Sequence, residues 1–354
     1  MSETNTRRFH KITIVDVARA AGVSHATVSR VLNNQGYIGE QTRLRVMAEV
    51  ERLGYIANAT ARSLAGANSY LLGMMIPEFY GNYVGELSQS VDLELSNSGY
   101  NLAIFPTHGH PEKETWYINR IINGLVDGLI IMLPQSLNQY LPILKAQQIP
   151  YVLLDSERAD PDSAVISTTN WQGAYDATRY LIGLGHRRIG HILGLETRLS
   201  SAERLEGYQA ALHESDIAFD PLLVEPGFFR LDMGYEAARQ LLALPNPPTA
   251  IFAANDASAF GAIKAAEALG INVPADLSVV GFDGQEKAEL ANLTTVHAPI
   301  ALVGQLAARA LIDRVKNPDG VPARETVATS LVIRKSCAPP RRVISEFADG
   351  NIGA

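Results

Sequence analysis

The sequence predicts a multidomain protein with an all-α helix-turn-helix head, a hinge helix and a two-lobed α/β core built on parallel sheets. A chain of 354 residues is too long for one small domain. Its first part, up to about residue 54, contains three short helical patterns separated by glycine. From about residue 70, short apolar runs alternate with amphipathic stretches in two successive series, and each series predicts one lobe.

The first predicted helix of the head has a clear beginning and end. Thr13 and Asp16 have the spacing of a capping box, in which each side chain satisfies a backbone donor of the first turn. Gly22 supplies a sharp turn, and Ser24 is a good N-cap for a second helix. Two short helices joined by so tight a turn predict a helix-turn-helix.

The second helix has one apolar face and one polar face. Val28, Val31 and Leu32 share the apolar face. A short helix with small and polar residues on its other face fits the DNA major groove, although an ordinary helical hairpin with a solvated face is an alternative. The residues on this polar face are His25, Ala26, Ser29, Arg30 and Asn33.

A third helix and a marginal one complete the head. The third is predicted over residues 40–53, with Val46, Met47, Val50 and Leu53 facing inward. The segment from residue 58 to 66 also favours helix, but isolated helices under ten residues are mostly unfolded in water. Such a segment becomes helical only when something packs against it, which suits a hinge.

Charge is divided unevenly along the chain. The net charge is −7, but residues 1–68 hold nine Lys and Arg against five acidic residues, a balance of +4, which leaves −11 for the rest. A basic head on an acidic body predicts contact with phosphates at one end only. No apolar run is long enough for a membrane span, and residues 1–11 lack the apolar region of a secretory signal. The single cysteine, Cys337, allows no intrachain disulfide and is consistent with a reducing cytoplasm.

The core shows strand and helix patterns in alternation, which predicts parallel sheets covered on both faces. Strands are predicted at 71–76, 102–105, 129–133, 151–154, 164–167, 189–193, 222–225, 250–253 and 278–282. Helices are predicted near 84–97, 113–123, 137–147, 175–184, 202–213, 233–244 and 257–269.

Ligands of open α/β sheets bind at the carboxyl ends of the strands, so the cleft between two lobes is the expected site. Residues just after predicted strands include carboxylates, an amide, an arginine and aromatics, the chemistry that binds vicinal hydroxyls and the apolar face of a sugar. Each of them also fits a capping or turn role, and Asp256 is predicted as the N-cap of the next helix. The candidates are Tyr83, Asp155, Ser200, Arg204, Phe229, Asn255 and Asp283.

Residues 12–66 resemble the N-terminal domain of the lactose/galactose-repressor family of bacterial transcription regulators. The resemblance is carried by ITIVDVARAAGVSHATVSRVLN, from Ile12, and by LGYIANATARSL, from Leu53. It implies that His25, Ala26 and Arg30 read bases and that Leu64 wedges into a central base step from the minor groove. Ala57 departs from the proline usual in the family. The resemblance further implies phosphate or positioning contacts from Thr13, Ser24, Thr27, Ser29, Asn33, Tyr37 and Asn58, and a DNA contact from Arg62.

Residues 70–335 resemble the effector-binding core of the same family, which is itself similar to periplasmic sugar-binding proteins. Landmarks are YLIGLGHRRI from Tyr180, RLEGY from Arg204, PPTAIFAAND from Pro247 and VPADLSVVGFD from Val273. By position, the resemblance assigns effector binding to the seven candidates above. In that family two aromatic residues usually follow the first strand of the core and form one wall of the effector site. Here Tyr83 is followed by Val84, so only one of the two aromatic residues is present.

These observations predict a sequence-specific transcriptional regulator, a repressor of carbohydrate-uptake or catabolic genes controlled by a sugar-like effector. We expect a homodimer on a pseudo-palindromic operator of double-stranded DNA, in the cytoplasm with the nucleoid, with no membrane contact, cofactor or metal. No phosphate-binding loop, metal-ligand spacing or nucleophile indicates an enzyme; the competing interpretation is a periplasmic sugar-binding protein. The predicted boundaries are 1–57 for the head, 58–69 for the hinge, 70–338 for the core and 339–354 for a tail, with the N-lobe at 70–167 and 298–330 and the C-lobe at 168–297.

Overall fold

The computed structural model describes residues 12–32, 36–55, 69–78, 82–122, 124–156 and 162–341. The predicted hinge helix lies outside the described residues, apart from Ser69 at its end. So do four predicted DNA-binding residues, Asn33, Asn58, Arg62 and Leu64. The boundaries of the head, hinge and tail therefore remain predictions.

The head contains three helices around a small core. These are α1 (Ile14–Ala21), α2 (His25–Leu32) and α3 (Glu40–Leu53). Val17, Val28 and Val46, one from each helix, are completely buried and pack in one cluster. The carboxylate of Asp16 accepts hydrogen bonds from the backbone N–H and the hydroxyl of Thr13, at 2.9 and 2.7 Å. The predicted helix-turn-helix is thus present, and its beginning is fixed by the predicted residue pair.

One inward-facing prediction in the head is wrong. Met47 is 47% exposed, whereas its neighbour Val46 is buried. Val46, Val50 and Leu53 follow the i, i+4, i+7 spacing of one helical face, and Met47 is turned by about 100° from Val46. An apolar side chain next to a core position on a helix is therefore not itself a core residue.

The first lobe is a six-stranded sheet with the order β11-β5-β4-β3-β1-β2. The strands β1, β3, β4, β5 and β11 pair in parallel. Their central residues, such as Met74, Ile130 and Leu153, are completely buried, as expected of a parallel sheet covered on both faces. The elements are β1 (Leu71–Ile76), α4 (Asn82–Asn97), β2 (Asn101–Pro106), α5 (Pro111–Ile121), β3 (Gly128–Met132), α6 (Leu137–Ala146), β4 (Tyr151–Leu154), β5 (Ala164–Thr168), α12 (Ile300–Lys316) and β11 (Arg324–Val327).

The second lobe is a six-stranded sheet with the order β12-β10-β9-β8-β6-β7, parallel except for the antiparallel edge strand β12. A 3₁₀ turn at Pro221–Leu223 occupies the beginning of the run predicted as a strand at 222–225. The elements are α7 (Asn170–Gly183), β6 (Ile189–Leu193), α8 (Leu199–Glu214), β7 (Val224–Pro226), α9 (Leu231–Leu242), β8 (Ala250–Ala253), α10 (Asp256–Ala268), β9 (Ser278–Asp283), α11 (Glu286–Leu290), β10 (Thr294–His297) and β12 (Ser330–Val332).

The chain passes between the two sheets three times: after β5, after β10 and between β11 and β12. Two of these crossings are bonded to each other. The hydroxyl of Thr169 accepts from the backbone N–H of Thr329 at 2.8 Å and lies 2.9 Å from the hydroxyl of Thr329. This pair fixes the two segments side by side at the point where any change of angle between the lobes must act.

Candidate functional site

The polar face of α2 is presented to solvent in the head. His25, Ala26 and Arg30 are exposed, whereas Val28 and Val31 on the opposite face are buried. The structure therefore separates the predicted base-reading residues from the core, as a helix in a major groove requires.

The helix begins at a capped turn. The hydroxyl of Ser24 accepts from the backbone N–H of Thr27 at 3.1 Å and lies 2.9 Å from the hydroxyl of Thr27. Tyr37, in the loop before α3, is 98% exposed. Thr13 is exposed at the beginning of α1, and Ser29 is half-buried. Ser24 and Thr27 are thus engaged in holding α2, while Tyr37 is available to a partner.

In the core, all seven predicted effector residues line one cavity of about 150 Å³ between the two sheets. Asp155 follows β4 in the first lobe; in the second lobe Phe229 follows β7, Asn255 follows β8 and Asp283 ends β9. The cavity thus lies at the carboxyl ends of the strands, because parallel strands present these ends at the same edge of a sheet. The side chains from the helices are Tyr83 on α4 and Ser200 and Arg204 on α8.

Arg204 is a buried cation at the centre of this site, with a side chain only 7% exposed. Its Nε and Nη2 donate to the Oδ1 atom of Asn170 at 3.0 and 2.9 Å, and Nη1 donates to the carbonyl of Ala254. The guanidinium carbon lies 3.6 Å from the ring centroid of Phe282, close enough for a cation–π interaction. Arg204 is therefore held in one orientation by two bonding edges and one stacked face.

Two buried carboxylates lie near this guanidinium. Asp283 Oδ1 is 3.7 Å from Arg204 Nη1, and burial raises the pKa of Asp283 to about 7, with Arg204 opposing the shift. Burial likewise raises the pKa of Asp155, which accepts a 3.4 Å hydrogen bond from the hydroxyl of Tyr83. One arginine thus faces two carboxyl groups, and burial disfavours the ionisation of both.

Asn255, rather than Asp256, caps helix α10. Asn255 Oδ1 accepts from the backbone N–H of Ser258 at 2.9 Å, and its Nδ2 donates to the carbonyl of Phe229 at 3.1 Å. The capping role predicted for Asp256 is therefore wrong. That carboxylate is completely buried and accepts from the Thr295 hydroxyl at 2.6 Å and from the Gln285 backbone at 2.9 Å.

The aromatic wall of the second lobe stands on a strained turn. Phe228 and Phe229 have φ of 54° and 61°, and the backbone N–H of Arg230 donates to the carbonyl of Gly227 at 2.9 Å. Bulky residues rarely adopt this left-handed conformation, so the turn costs free energy that the surrounding contacts must supply. A side chain at Gly194 would collide with the Phe229 ring, since a Cβ there would lie 2.0 Å from Cζ. Glycine at 194 therefore makes room for the aromatic wall.

A second cavity of about 350 Å³ adjoins the first and shares Leu133 and Asp155 with it. Arg198 lines this second cavity, is 5% exposed and donates from Nη1 to the carbonyl of Leu133. Because Leu133 belongs to the first lobe and Arg198 to the second, this bond spans the cleft.

Sequence reasoning missed several residues of the site. Phe282 belongs to the apolar run of β9, and the pattern predicted only its burial. Asn170 begins α7, where its amide fits an ordinary terminal role, and its contact with Arg204 spans 34 positions of sequence. Within the described residues no group of three or more His, Cys, Asp and Glu side chains could hold a metal ion, and no helix is long and apolar enough to cross a membrane.

The head geometry and the two-lobed core together define a class of protein, DNA-binding regulators with a ligand-binding body. The family model described as "Bacterial regulatory proteins, lacI family" matches residues 13–58, and "Periplasmic binding protein-like domain" matches residues 178–337. The chain is 36% identical over 330 residues to the HTH-type transcriptional repressor PurR of Proteus mirabilis (strain HI4320). The aligned region covers 92% of this chain and 97% of that protein.

Two solved structures are similar over 92% of this chain and 99% of theirs. The complex of the transcriptional regulator CelR with cellobiose matches with a TM-score of 0.70 and 30% identity. The lac repressor dimer bound to operator and the anti-inducer ONPF matches with a TM-score of 0.80 and 28% identity. The chain belongs to the lacI family of bacterial transcription regulators. Membership confirms the predicted family, the predicted fold class and the expectation that the chain is not an enzyme.

Proposed function

We propose that the chain is a homodimeric repressor of carbohydrate-uptake or catabolic genes, located in the cytoplasm with the nucleoid. The head of each protomer reads one half-site of a pseudo-palindromic operator. A small sugar-like effector binds in the cavity around Arg204 and changes the angle between the lobes. That change alters the distance between the two hinge segments and hence the operator affinity. The effector acts through its differential affinity for the two states, typically about 1–3 kcal/mol.

The convergence of seven predicted residues on one cavity carries the effector part of this proposal. They come from six elements or loops of both lobes, and their shared property is the chemistry that binds hydroxyl-rich rings. The structurally similar regulator CelR is complexed with cellobiose. Tyr83, Asp155, Ser200, Arg204, Phe229, Asn255 and Asp283 are the proposed effector contacts.

The exposed face of α2 supports the DNA-binding part. His25, Ala26 and Arg30 are the proposed base-reading residues. Leu64, outside the described residues, is the proposed minor-groove wedge. Phosphate and positioning contacts are proposed for Thr13, Ser24, Thr27, Ser29, Asn33, Tyr37, Asn58 and Arg62.

In-vitro selection from random duplexes with the full chain tests the DNA-binding proposal. The expected result is a pseudo-palindrome of two half-sites. Arg30→Ala then weakens binding to the selected site by about 1–3 kcal/mol, because a bidentate contact to a base edge is lost. Arg45→Ala, an exposed change on α3, is the matched control and leaves the selected sequence unchanged. A chain that enriches no sequence at low salt contradicts the proposal.

A thermal-shift screen of sugars, sugar phosphates and nucleobases tests the effector proposal. A compound that binds the folded protein raises its melting temperature by mass action. Arg204→Ala removes the shift while operator binding stays measurable. A compound that shifts the melting temperature of Arg204→Ala as it does that of the wild type binds elsewhere.

A further inference from the structure

The hydrogen-bond donors of the cavity are largely occupied within the protein. Arg204 donates from Nε, Nη1 and Nη2 to Asn170 and Ala254. Asn255 donates to the carbonyl of Phe229, and the hydroxyl of Tyr83 donates to Asp155. A ligand that arrives as an acceptor must therefore share these nitrogen atoms with acceptors of the protein.

The remaining donors on the cavity wall are occupied in the same way. The side-chain amide of Gln285 donates to Asp283 Oδ2 at 3.3 Å. Arg230 donates to both carboxylate oxygens of Asp232, at 3.0 and 2.6 Å, so its charge already has a partner. The hydroxyl of Ser200 can rotate and so can serve either as donor or as acceptor.

Acceptors, by contrast, are in surplus. Asp155 and Asp283 lie on opposite sides of the cavity, one in each lobe, and Glu78 lines its edge. A carboxyl group accepts hydrogen bonds whether it is ionised or protonated, and one buried guanidinium lies near both aspartates. The cavity therefore offers hydrogen-bond acceptors from both lobes.

The neighbouring cavity does not reverse this balance. Arg198 is the buried cation of the neighbouring cavity, and its positive charge interacts with the carboxylates of Glu114 and Glu78. Glu114 is itself 4% exposed. Arg198 and Arg204 interact electrostatically with five carboxyl groups: Glu78 and Glu114 with Arg198, and Asp155, Asp283 and Glu203 with Arg204. A bound phosphate or carboxylate would add negative charge to a buried site that already disfavours the ionisation of Asp155 and Asp283.

We propose that the effector is an uncharged or cationic ring compound with at least two O–H or N–H donors, directed at Asp155 and Asp283, and that phosphorylated or carboxylated forms of it are rejected. The donors bridge a carboxylate of each lobe, which favours one angle between the lobes over others. Phe228 and Phe229 cover an apolar face of the ring. This inference rests on the proposed effector role of the cavity.

Matched compounds that share one ring test the inference. One series is D-glucose, D-glucosamine, D-glucose 6-phosphate and D-gluconate; the others are D-ribose with D-ribose 5-phosphate and adenosine with its 5′-monophosphate. Each compound is titrated into the full chain by calorimetry. In every series that binds, the neutral or amine-bearing member is expected to bind at least about tenfold more tightly than the anionic member. An anionic member that binds more tightly than its neutral partner overturns the inference.

A variant separates charge from shape. Asp155→Asn/Asp283→Asn keeps the size of both side chains and removes two ionisable carboxyl groups. We expect it to weaken binding of the neutral member and to reduce the discrimination against the phosphorylated member at least fivefold. Asp176→Asn, on the surface of α7 where Asp176 pairs with Gln172, is the control and leaves the discrimination unchanged. Discrimination that is equally strong in the double variant overturns the inference. Failure of every compound to bind, while operator binding persists, instead counts against the effector role of the cavity.

Discussion

At the scale of single residues, Asn170 determines how the central cation of the cavity is held. One amide accepts two bonds from Arg204 and donates one to Glu203 Oε2 at 3.0 Å, which a carboxylate at this position cannot do. Asn170→Ala leaves two N–H groups of a buried charge without an acceptor. We expect a loss of about 2–4 kcal/mol of unfolding free energy in urea, since bonds to charged groups are worth about 1.5–3 kcal/mol each.

Gln172→Ala, two positions along the same helix, is the matched control. Gln172 is exposed, and its side chain donates to the nearby carboxylate of Asp176 at 2.8 Å. Loss of such a surface contact changes stability by about 0.5 kcal/mol or less. Equal losses in the two variants would show that Asn170 acts through the helix end rather than through Arg204.

Asp283 makes stability depend on pH. Burial raises its pKa from 3.8 to about 7, so between these values the folded state binds more protons than the unfolded state. Its contribution to stability is therefore fully present below about pH 4 and falls by up to about 1.4 kcal/mol per pH unit as the pH rises to about 7. Asp283→Asn abolishes this titration. We expect its melting temperature, relative to the wild type, to be higher at pH 8 than at pH 5.

The difference between the two proteins is the measured quantity, because Asp256 titrates in the same range with a pKa raised by burial to about 6. The two titrations are linked, because the charge of Asp256 also raises the pKa of Asp283. Asp283→Asn therefore also lowers the pKa of Asp256, and both changes reduce the loss of stability with rising pH. A melting-temperature difference that is the same at pH 5 and pH 8 would mean that Asp283 is ionised throughout this range in the folded protein.

At the scale of elements, the close approach of α9 and α10 depends on two glycines, Gly234 on α9 and Gly261 on α10. A Cβ at Gly261 would lie 2.2 Å from the carbonyl oxygen of Leu231 and 2.5 Å from the backbone nitrogen of Tyr235. Backbone atoms cannot move aside as a side-chain end can, so Gly261→Ala forces the helices apart. We expect a loss of about 3 kcal/mol or more, at the upper end for an overpacked core.

The contrasting substitution is Gly85→Ala, in α4. A Cβ there meets no atom within 4 Å and the residue is exposed. Alanine has the higher helix propensity and restricts the unfolded chain, so we expect a gain of about 0.4–1 kcal/mol. Chemical denaturation measures the free energy of unfolding of both variants. Changes of the same sign in the two variants would contradict the explanation from helix packing.

The strands and helices were predictable where the pattern is local. The runs at 71–76, 151–154, 189–193 and 250–253 match β1, β4, β6 and β8 at both ends, because buried parallel strands are short, continuous and apolar. Helix α12 and strands β11 and β12, near the end of the core, were not predicted as elements. Their place is set by partners far away in sequence, as when Arg324 of β11 pairs with Val165.

The candidate site divides in the same way. Its seven side chains could be predicted from the family resemblance and from the rule that ligands bind at the carboxyl ends of parallel strands. The hydrogen bonds that these side chains make could not be predicted from the sequence. Whether Asn255 or Asp256 caps α10, or which acceptor holds Arg204, depends on side chains that meet only in the folded state.

At the scale of the whole molecule, the basic head and the acidic core differ in charge and in what they bind, DNA in one case and an effector in the other. Residues 1–68 carry a net +4 and the remainder −11. Operator binding by two heads releases counterions from DNA, whereas binding of an uncharged effector in the core releases none. The two affinities should therefore respond differently to salt.

We expect operator affinity, measured by fluorescence anisotropy, to fall at least about a thousandfold between 50 and 200 mM potassium chloride, as for a protein with six or more phosphate contacts. Effector affinity, measured by calorimetry over the same series, should change less than about twofold. The salt dependence of effector affinity is informative because the cavity has more carboxyl groups than guanidinium groups. A cationic effector would bind more weakly as salt rises, and an anionic one more tightly. A salt-independent operator affinity would contradict the assignment of the phosphate contacts to the head. A salt-dependent effector affinity would reveal the sign of charge that the effector carries, and thereby distinguish an amine-bearing ring from a neutral one.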